Sequence, residues 1–192
     1  MPIKNTLITL SLLLGAGFAH AQKPCEYSSD VKDSLGTYKA TKDVMLHEKV
    51  FGGKQLMFYV SLAKTDQTVM LEVTQIQKST GFLPAYCFDK TSRIVLQLLS
   101  NKIVTLPFAG TELCGTLIKG QNDSSNRVLT GKFLIPKEAY AELMKSPLSF
   151  IRVKYATETV DYPMRSNLVS ETDKKTYSPE SLFIDYLNCV KP

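Results

Sequence analysis

Residues 44–62, VMLHEKVFGGKQLMFYVSL, decide the fold of this chain. Two runs of alternating apolar and polar residues, Val44–Phe51 and 54–62, flank the pair Gly52-Gly53. Two consecutive glycines supply the positive φ angles of a type I′ turn, so the stretch predicts a β-hairpin. Successive side chains of a strand point to opposite faces. Leu56, Phe58, Val60 and Leu62 of the second run therefore share one face.

The same two-residue alternation recurs along most of the chain, which is typical of strands packed on a core with one face. Further strands are predicted at 69–73, 94–98, 103–108, 113–119, 127–135 and 150–155. Many short strands separated by turns predict a mainly β fold. We expect an antiparallel β-sandwich, with a closed β-barrel as the alternative.

Two short helices are predicted, near 137–145 and near 179–189. The first contains good helix formers after an early proline. In the second, Ser178 can cap the helix and Pro179 suits its first position, and an apolar stripe follows. Residues 167–177, NLVSETDKKTY, are polar and are predicted to form a mobile loop.

The first residues predict export. Lys4 precedes a short apolar run at 7–14, and small residues then lead to Ala19-His20-Ala21. This order is typical of a secretory signal peptide, residues 1–21, cleaved after Ala21. The apolar run is shorter than the roughly 20 residues that a membrane-spanning helix needs.

The predicted mature chain, residues 22–192, is long enough for one domain with its own core. The first cysteine, Cys25, does not directly follow Ala21, so we expect no lipid anchor. A short charged start and a Leu-rich apolar run are typical of bacterial leaders. The sequence therefore predicts a periplasmic or extracellular protein without a membrane span in its mature chain.

Four cysteines lie in the predicted mature chain: Cys25, Cys87, Cys114 and Cys189. An even number of cysteines in an exported protein predicts disulfide bonds, and four cysteines permit three pairings. No C-x-x-C pair is present, so a zinc site is not expected. We interpret the cysteines as structural braces.

A predicted hairpin with a tight turn at Ser100-Asn101 favours one of the three pairings. If the register continues outward from that turn, Cys87 and Cys114 lie opposite each other. The remaining bridge, Cys25–Cys189, then joins the two ends of the domain. Closed loops of this length stabilise a protein by about 2–4 kcal/mol.

Histidine is scarce, which limits the chemistry. His20 leaves with the predicted signal peptide, so His47 is the only histidine of the mature chain. One histidine excludes a three-histidine zinc centre. In the Gly52-Gly53 hairpin His47 lies opposite Phe58, which favours a half-buried structural imidazole over a general base. His47 remains the single candidate functional residue. No catalytic or metal-binding residue is assigned, and no cofactor is expected.

Paired carboxylates are the remaining route to hydrolysis, because glycosidases need two of them in one cleft. Five acidic residues are candidates: Glu48, Glu72, Asp89, Glu112 and Asp161. Their spacing selects no pair. A secreted hydrolase that uses a carboxylate pair or His47 therefore stays as an alternative.

Two short segments resemble the G-x-W and T-D-Y signatures of lipocalins. They are Gly36-Thr37-Tyr38 and Val160-Asp161-Tyr162, in which Tyr replaces Trp and Val replaces Thr. The resemblance implies a second alternative, a closed barrel that carries an apolar ligand.

The charge balance argues against nucleic acid as the partner. The chain has 23 Lys and Arg against 18 Asp and Glu and no Trp, and its basic residues are dispersed. Nucleic-acid binding proteins concentrate them in a stripe. We therefore expect an exported, non-catalytic β domain that binds a protein, a glycan or a small ligand.

Overall fold

The computed structural model describes residues 23–34, 36–120 and 123–192. The predicted signal peptide, residues 1–21, and its cleavage site lie outside the described residues. The described chain is mainly β with two short helical segments, so the predicted fold class is confirmed. None of its helices is long and apolar enough to cross a membrane.

Fifteen strands follow one another along the described chain. They are β1 (Tyr27–Asp33), β2 (Gly36–Thr41), β3 (Val44–Phe51), β4 (Lys54–Thr65), β5 (Thr68–Ser79), β6 (Cys87–Phe88), β7 (Arg93–Leu98), β8 (Ile103–Pro107), β9 (Leu113–Cys114), β10 (Thr116–Lys119), β11 (Ser125–Leu134), β12 (Leu148–Lys154), β13 (Thr159–Pro163), β14 (Leu168–Val169) and β15 (Thr176–Tyr177).

Two antiparallel sheets form the sandwich. The large sheet has the order β1-β2-β4-β5-β11-β10, and β3 pairs with the first half of β4. Strand β4 is 12 residues long, so β2 and β3 lie end to end along the same edge of it. The small sheet has the order β13-β12-β7-β8.

The sandwich is curled into a half-barrel but remains open. A single bridge between Phe108 and Phe133 links the end of the small sheet to β11. Neither sheet closes on itself in the described strand order, so the closed barrel is not the fold that forms. Alternate side chains of both sheets meet between them and fill the interior.

The core follows the predicted alternation. Phe58, Val60 and Leu62 of β4 are buried on one face and belong to the same cluster as residues of the small sheet. The partners from β7 and β12 are Ile94, Leu96, Leu98, Ile151 and Val153. Burying each such side chain contributes roughly 1.5–3 kcal/mol, so this contact is the main source of stability.

The Gly52-Gly53 hairpin forms as predicted. Gly52 and Gly53 have φ angles of 57° and 71°, the left-handed values that a type I′ turn requires. His47 pairs with Phe58, and a β-bulge between Met45 and His47 shifts the register farther along the strand. The bulge leaves Leu46 buried in the main core beside the row that holds His47.

The second predicted turn is one residue longer than expected. Gln97 pairs with Ile103, and Asn101 takes a left-handed φ of 63°, so the turn holds more than Ser100-Asn101. Cys87 and Cys114 still face each other because β6 and β9 form a separate two-stranded sheet. The register of the hairpin therefore does not extend to the cysteines.

Two disulfide bonds join Cys25 to Cys189 and Cys87 to Cys114, the pairing that the sequence favoured. The described cysteines are all paired. Disulfides of this kind persist in oxidising compartments, which fits an exported protein.

The predicted helices are shorter than expected. Helix α1 spans Tyr140–Leu143 after a 3₁₀ turn, and helix α2 spans Leu182–Tyr186 between two 3₁₀ turns. The apolar stripe of the second segment packs into the main core, as its spacing predicted.

Residues 167–177 do not form the predicted loop. Strands β14 and β15 pair within it, and Leu168 and Tyr177 pack on Met45 and Met57. The carboxylate of Glu48 anchors the hairpin by accepting hydrogen bonds from the Glu171 and Thr172 amides at 2.6 and 3.1 Å. The polar sequence did not predict this, because several of the bonds that hold the hairpin go to Glu48, which is distant in the sequence.

We expect removal of the two disulfide bonds to destabilise the protein unequally. The bonds span sequence separations of 164 and 27 residues. Chain entropy gives losses of about 5 kcal/mol for C25S/C189S and about 3–4 kcal/mol for C87S/C114S. Guanidinium unfolding without reductant measures both. A larger loss for C87S/C114S would contradict this ordering.

Candidate ligand-binding groove

An apolar groove opens at the end of the sandwich where the β3–β4 hairpin turns. Its volume is about 280 Å³, close to the lower end of small-ligand pockets. Strands β3, β4 and β5 and the loop that follows β5 supply its lining. The lining residues are Lys49, Phe51, Lys54, Gln55, Leu56, Gln77, Phe82, Leu83, Pro84 and Tyr86.

Strand register places the groove next to the core. Lys49 pairs with Leu56, and Leu56 pairs with Gln77, so these three side chains form one row across β3, β4 and β5. The next row toward the interior is His47, Phe58 and Gln75. The groove is therefore a continuation of the inner face of the large sheet beyond the part that the core covers.

Two phenylalanines stand at the groove with little protein around them. Phe51 is 78% exposed and Phe82 is 82% exposed. Both flank glycines at turns, Phe51 before Gly52 and Phe82 after Gly81. Large exposed aromatic side chains beside an apolar depression are a feature of binding surfaces.

A buried amide lies in the groove lining. Gln77 is only 6% exposed. No hydrogen-bond partner for its side chain is found among the described residues. Its amide is not one of the fully enclosed side-chain groups that lack a hydrogen-bond partner, so it keeps contact with water. A ligand acceptor in the groove can replace that water.

The charge of the groove is positive. Lys49 and Lys54 are among the lining residues, and no carboxylate is. Lysine side chains are flexible point charges that attract anions without fixing their orientation. The lining thus combines an apolar surface, one uncommitted amide and two cations.

A hydrogen-bonded aromatic network closes the groove on its inner side. The Tyr155 hydroxyl donates to Gln75 Oε1 at 2.7 Å and lies 3.2 Å from the Tyr162 hydroxyl. Burial raises the pKa of Tyr162 to about 12 and raises that of Tyr155 further, so both hydroxyls are neutral. Tyr86, a lining residue, packs against Tyr155 with ring centroids 4.6 Å apart and ring planes tilted by 39°.

Gln75 is the polar centre of this network. Its side chain is 1% exposed, and its Nε2 has no hydrogen-bond partner among the described residues. The Gln75 amide is thus half satisfied, whereas the Gln77 amide is in contact with water in the groove.

His47 lies one row inside the groove lining. Its ring contacts the edge of Tyr162 with centroids 5.1 Å apart. Burial, followed by repulsion from Arg165 and Lys49, lowers the pKa of His47, so the imidazole is neutral at pH 7. The described residues place no hydroxyl or thiol within hydrogen-bond distance of it.

The five candidate carboxylates lie apart, each with its own partner or exposed. Glu48 anchors residues 171 and 172, and Glu72 accepts from Tyr38 and pairs with Lys132 at 2.7 Å. Asp161 binds Arg152 through two hydrogen bonds.

The other two candidates are in loops of the small β6–β9 region. Asp89 accepts from Thr91 and Ser92, and Glu112 is exposed before β9. A further carboxylate, Asp43, interacts electrostatically with Glu72, and the sequence did not indicate it as a candidate. Burial and the Glu72 charge raise the pKa of Asp43.

Metal binding finds no support in the side-chain arrangement. Across residues 23–34, 36–120 and 123–192, no group of three His, Cys, Asp or Glu side chains is placed to hold an ion. The two lipocalin-like segments lie in different sheets, in β2 and β13. The strand order of the described residues gives no closed, hollow barrel.

Comparisons of the chain with protein-family models, with curated proteins and with solved structures gave no significant match. The function must therefore be argued from the chemistry of the groove.

Sequence reasoning missed Phe51, Phe82 and Gln77. The signal that was present is the position of Phe51 and Phe82 beside turn glycines, where a large apolar side chain is expected to face solvent. No pattern in the sequence reveals Gln77, because its burial depends on neighbours that only the folded chain brings together.

We expect His47 to make the protein less stable in mild acid. The pKa of His47 is lowered in the folded state, so the unfolded chain binds the proton more readily. The contribution of neutral His47 to the free energy of unfolding is therefore fully present above the pKa of histidine in the unfolded chain, about 6.5, and is lost as the pH falls below that value. H47L removes this slope. Urea unfolding between about pH 5 and 7 compares the two proteins. An identical pH dependence in both would contradict the lowered pKa.

Proposed function

We propose that the protein is an exported, non-catalytic binding domain that takes a small amphipathic anion into the groove. The ligand has an apolar body and a carboxylate, sulfonate or similar acceptor group. The observation that carries the proposal is the groove lining, in which apolar side chains, the uncommitted Gln77 amide and two lysines occur together.

The apolar body of the ligand packs on the exposed aromatics. Phe51 and Phe82 each have more than three quarters of their surface in water, and a ligand between them removes apolar area from solvent. Such burial is worth roughly 25 cal/mol per Å² of apolar surface. Leu56 and Pro84 extend the apolar lining.

The acceptor group of the ligand turns toward Gln77 and the lysines. The Gln77 amide provides a donor inside the groove, and Lys49 and Lys54 attract a negative charge. A hydrogen bond to a charged group is stronger than a neutral one and contributes about 1.5–3 kcal/mol. This supports an anionic acceptor over a neutral one.

Export supports the same proposal. The predicted leader and the two disulfides fit a protein that works outside the cytoplasm. A hydrolase receives less support, because the five candidate carboxylates are separately engaged or exposed and His47 has no nucleophile beside it. The groove offers binding chemistry without a reacting group.

The probe 8-anilinonaphthalene-1-sulfonate tests the groove, since it joins an aromatic body to an anion. We expect fluorescence titration to show saturable binding that weakens about tenfold in F82A and in Q77L, because each loses roughly 1.4 kcal/mol of contact. Thermal unfolding followed by circular dichroism shows whether each variant is folded.

The matched control is L99A, which removes another exposed apolar side chain, at the β7–β8 turn. Its affinity for the probe should equal that of the native protein. Equal affinity in F82A, Q77L and L99A would place the probe elsewhere and would refute the groove as its site.

A further inference from the structure

A second group of cations lies on the outer face of the small sheet. In β7, Ile94 and Leu96 are buried, while Arg93 is exposed. Strand β12 repeats the pattern, with Arg152 exposed between the buried Ile151 and Val153 and Lys154 half-buried at the end of the strand. Alternation therefore directs Arg93, Arg152 and Lys154 away from the core.

Two of these cations face each other directly. Arg93 of β7 pairs in register with Lys154 of β12. Like charges directly opposite each other destabilise a sheet. Neither side chain forms an ion pair with a carboxylate in the part of the chain that the structure describes. The fold thus holds an uncompensated pair of positive charges.

In the neighbouring row, the positive charge of an arginine is neutralised by a carboxylate. Arg152 lies opposite Asp161, and its Nε and Nη2 donate to the two carboxylate oxygens at 2.7 and 2.8 Å. This bidentate interaction fixes the orientation of the guanidinium, and the two opposite charges neutralise each other. Asp161 is therefore engaged by Arg152 and leaves Arg93 and Lys154 unneutralised.

The two rows enclose a shallow depression of about 580 Å³. Its lining consists of Arg93, Val95, Arg152, Lys154, Thr159 and Asp161. Three cations and one carboxylate give it a charge of 3 − 1 = +2. Thr159 is paired in register with Lys154 and adds a hydroxyl at the same end.

We propose that this depression binds a phosphate group, free or as the monoester of a small molecule. Such a group carries a charge of about −1.5 to −2 at neutral pH and offers several acceptor oxygens. Arg93 and Lys154 donate to it from two sides, and their mutual repulsion is relieved when it binds. Arginine with a planar donor fork is well suited to phosphate.

Calorimetric titration tests the site with inorganic phosphate and with glucose 6-phosphate, each at constant ionic strength set by chloride. We expect R93Q and K154Q each to bind both probes about tenfold more weakly, the effect of losing one charge-assisted bond. We also expect K154Q to raise the thermal unfolding midpoint in phosphate-free buffer, because it removes the repulsion. A merely solvated lysine predicts neither change.

The matched control is K102Q, which removes an exposed lysine at the far end of the β7–β8 hairpin. It should change neither the affinity nor the midpoint. Equal phosphate binding in R93Q, K154Q and the native protein would overturn the proposal. So would an absence of binding to the native protein.

Vesicles of phosphatidylglycerol distinguish the source of the phosphate. Binding to these vesicles without binding to either small phosphate would overturn the small-ligand site in favour of a lipid surface. The result is independent of the groove, because the two sets of lining residues do not overlap. K154Q should therefore leave the affinity for 8-anilinonaphthalene-1-sulfonate unchanged.

Discussion

The register of β4 between β3 and β5 is the constraint on which the rest of the structure depends. The Gly52-Gly53 turn sets the pairing on one side, and a turn between Thr65 and Thr68 sets it on the other. A shift of one residue would turn Phe58, Val60 and Leu62 away from the core, because strand side chains alternate. The core and the groove both require the observed register.

The side chains on the inner face of strands β3, β4 and β5 change from aliphatic to partly polar toward the groove. Toward the centre this face carries aliphatic residues that the small sheet covers. The row of His47, Phe58 and Gln75 is still covered, but by the hydroxyl-bearing rings of Tyr155 and Tyr162. The row of Lys49, Leu56 and Gln77 is covered only in part, and the groove begins there. Gln75 lies inside the covered row, whereas Gln77 lines the groove, and the proposed binding role belongs to Gln77 alone.

Sequence alone was sufficient where a local rule decides the outcome. Paired glycines fixed the first hairpin and the position of His47 opposite Phe58, and strand alternation identified the residues of the core. Sequence was insufficient where distant residues decide. The turn after β7 gained a residue through the left-handed Asn101, and residues 168–177 became ordered through Glu48 on another strand. The groove belongs to the second class, because the β3–β4 hairpin, β5 and the loop after β5 must come together to form its lining.

The two proposed sites follow from the same alternation applied to opposite faces. An inward row that runs beyond its cover exposes apolar surface, and so the groove suits an amphipathic ligand. An outward row faces water throughout, so its character depends only on which charges the register brings together. At Arg152 the register supplies a carboxylate, whereas at Arg93 it supplies Lys154. The β12–β13 pairing therefore gives Arg152 a carboxylate, whereas the β7–β12 pairing gives Arg93 a second cation, on which the proposed anion site rests.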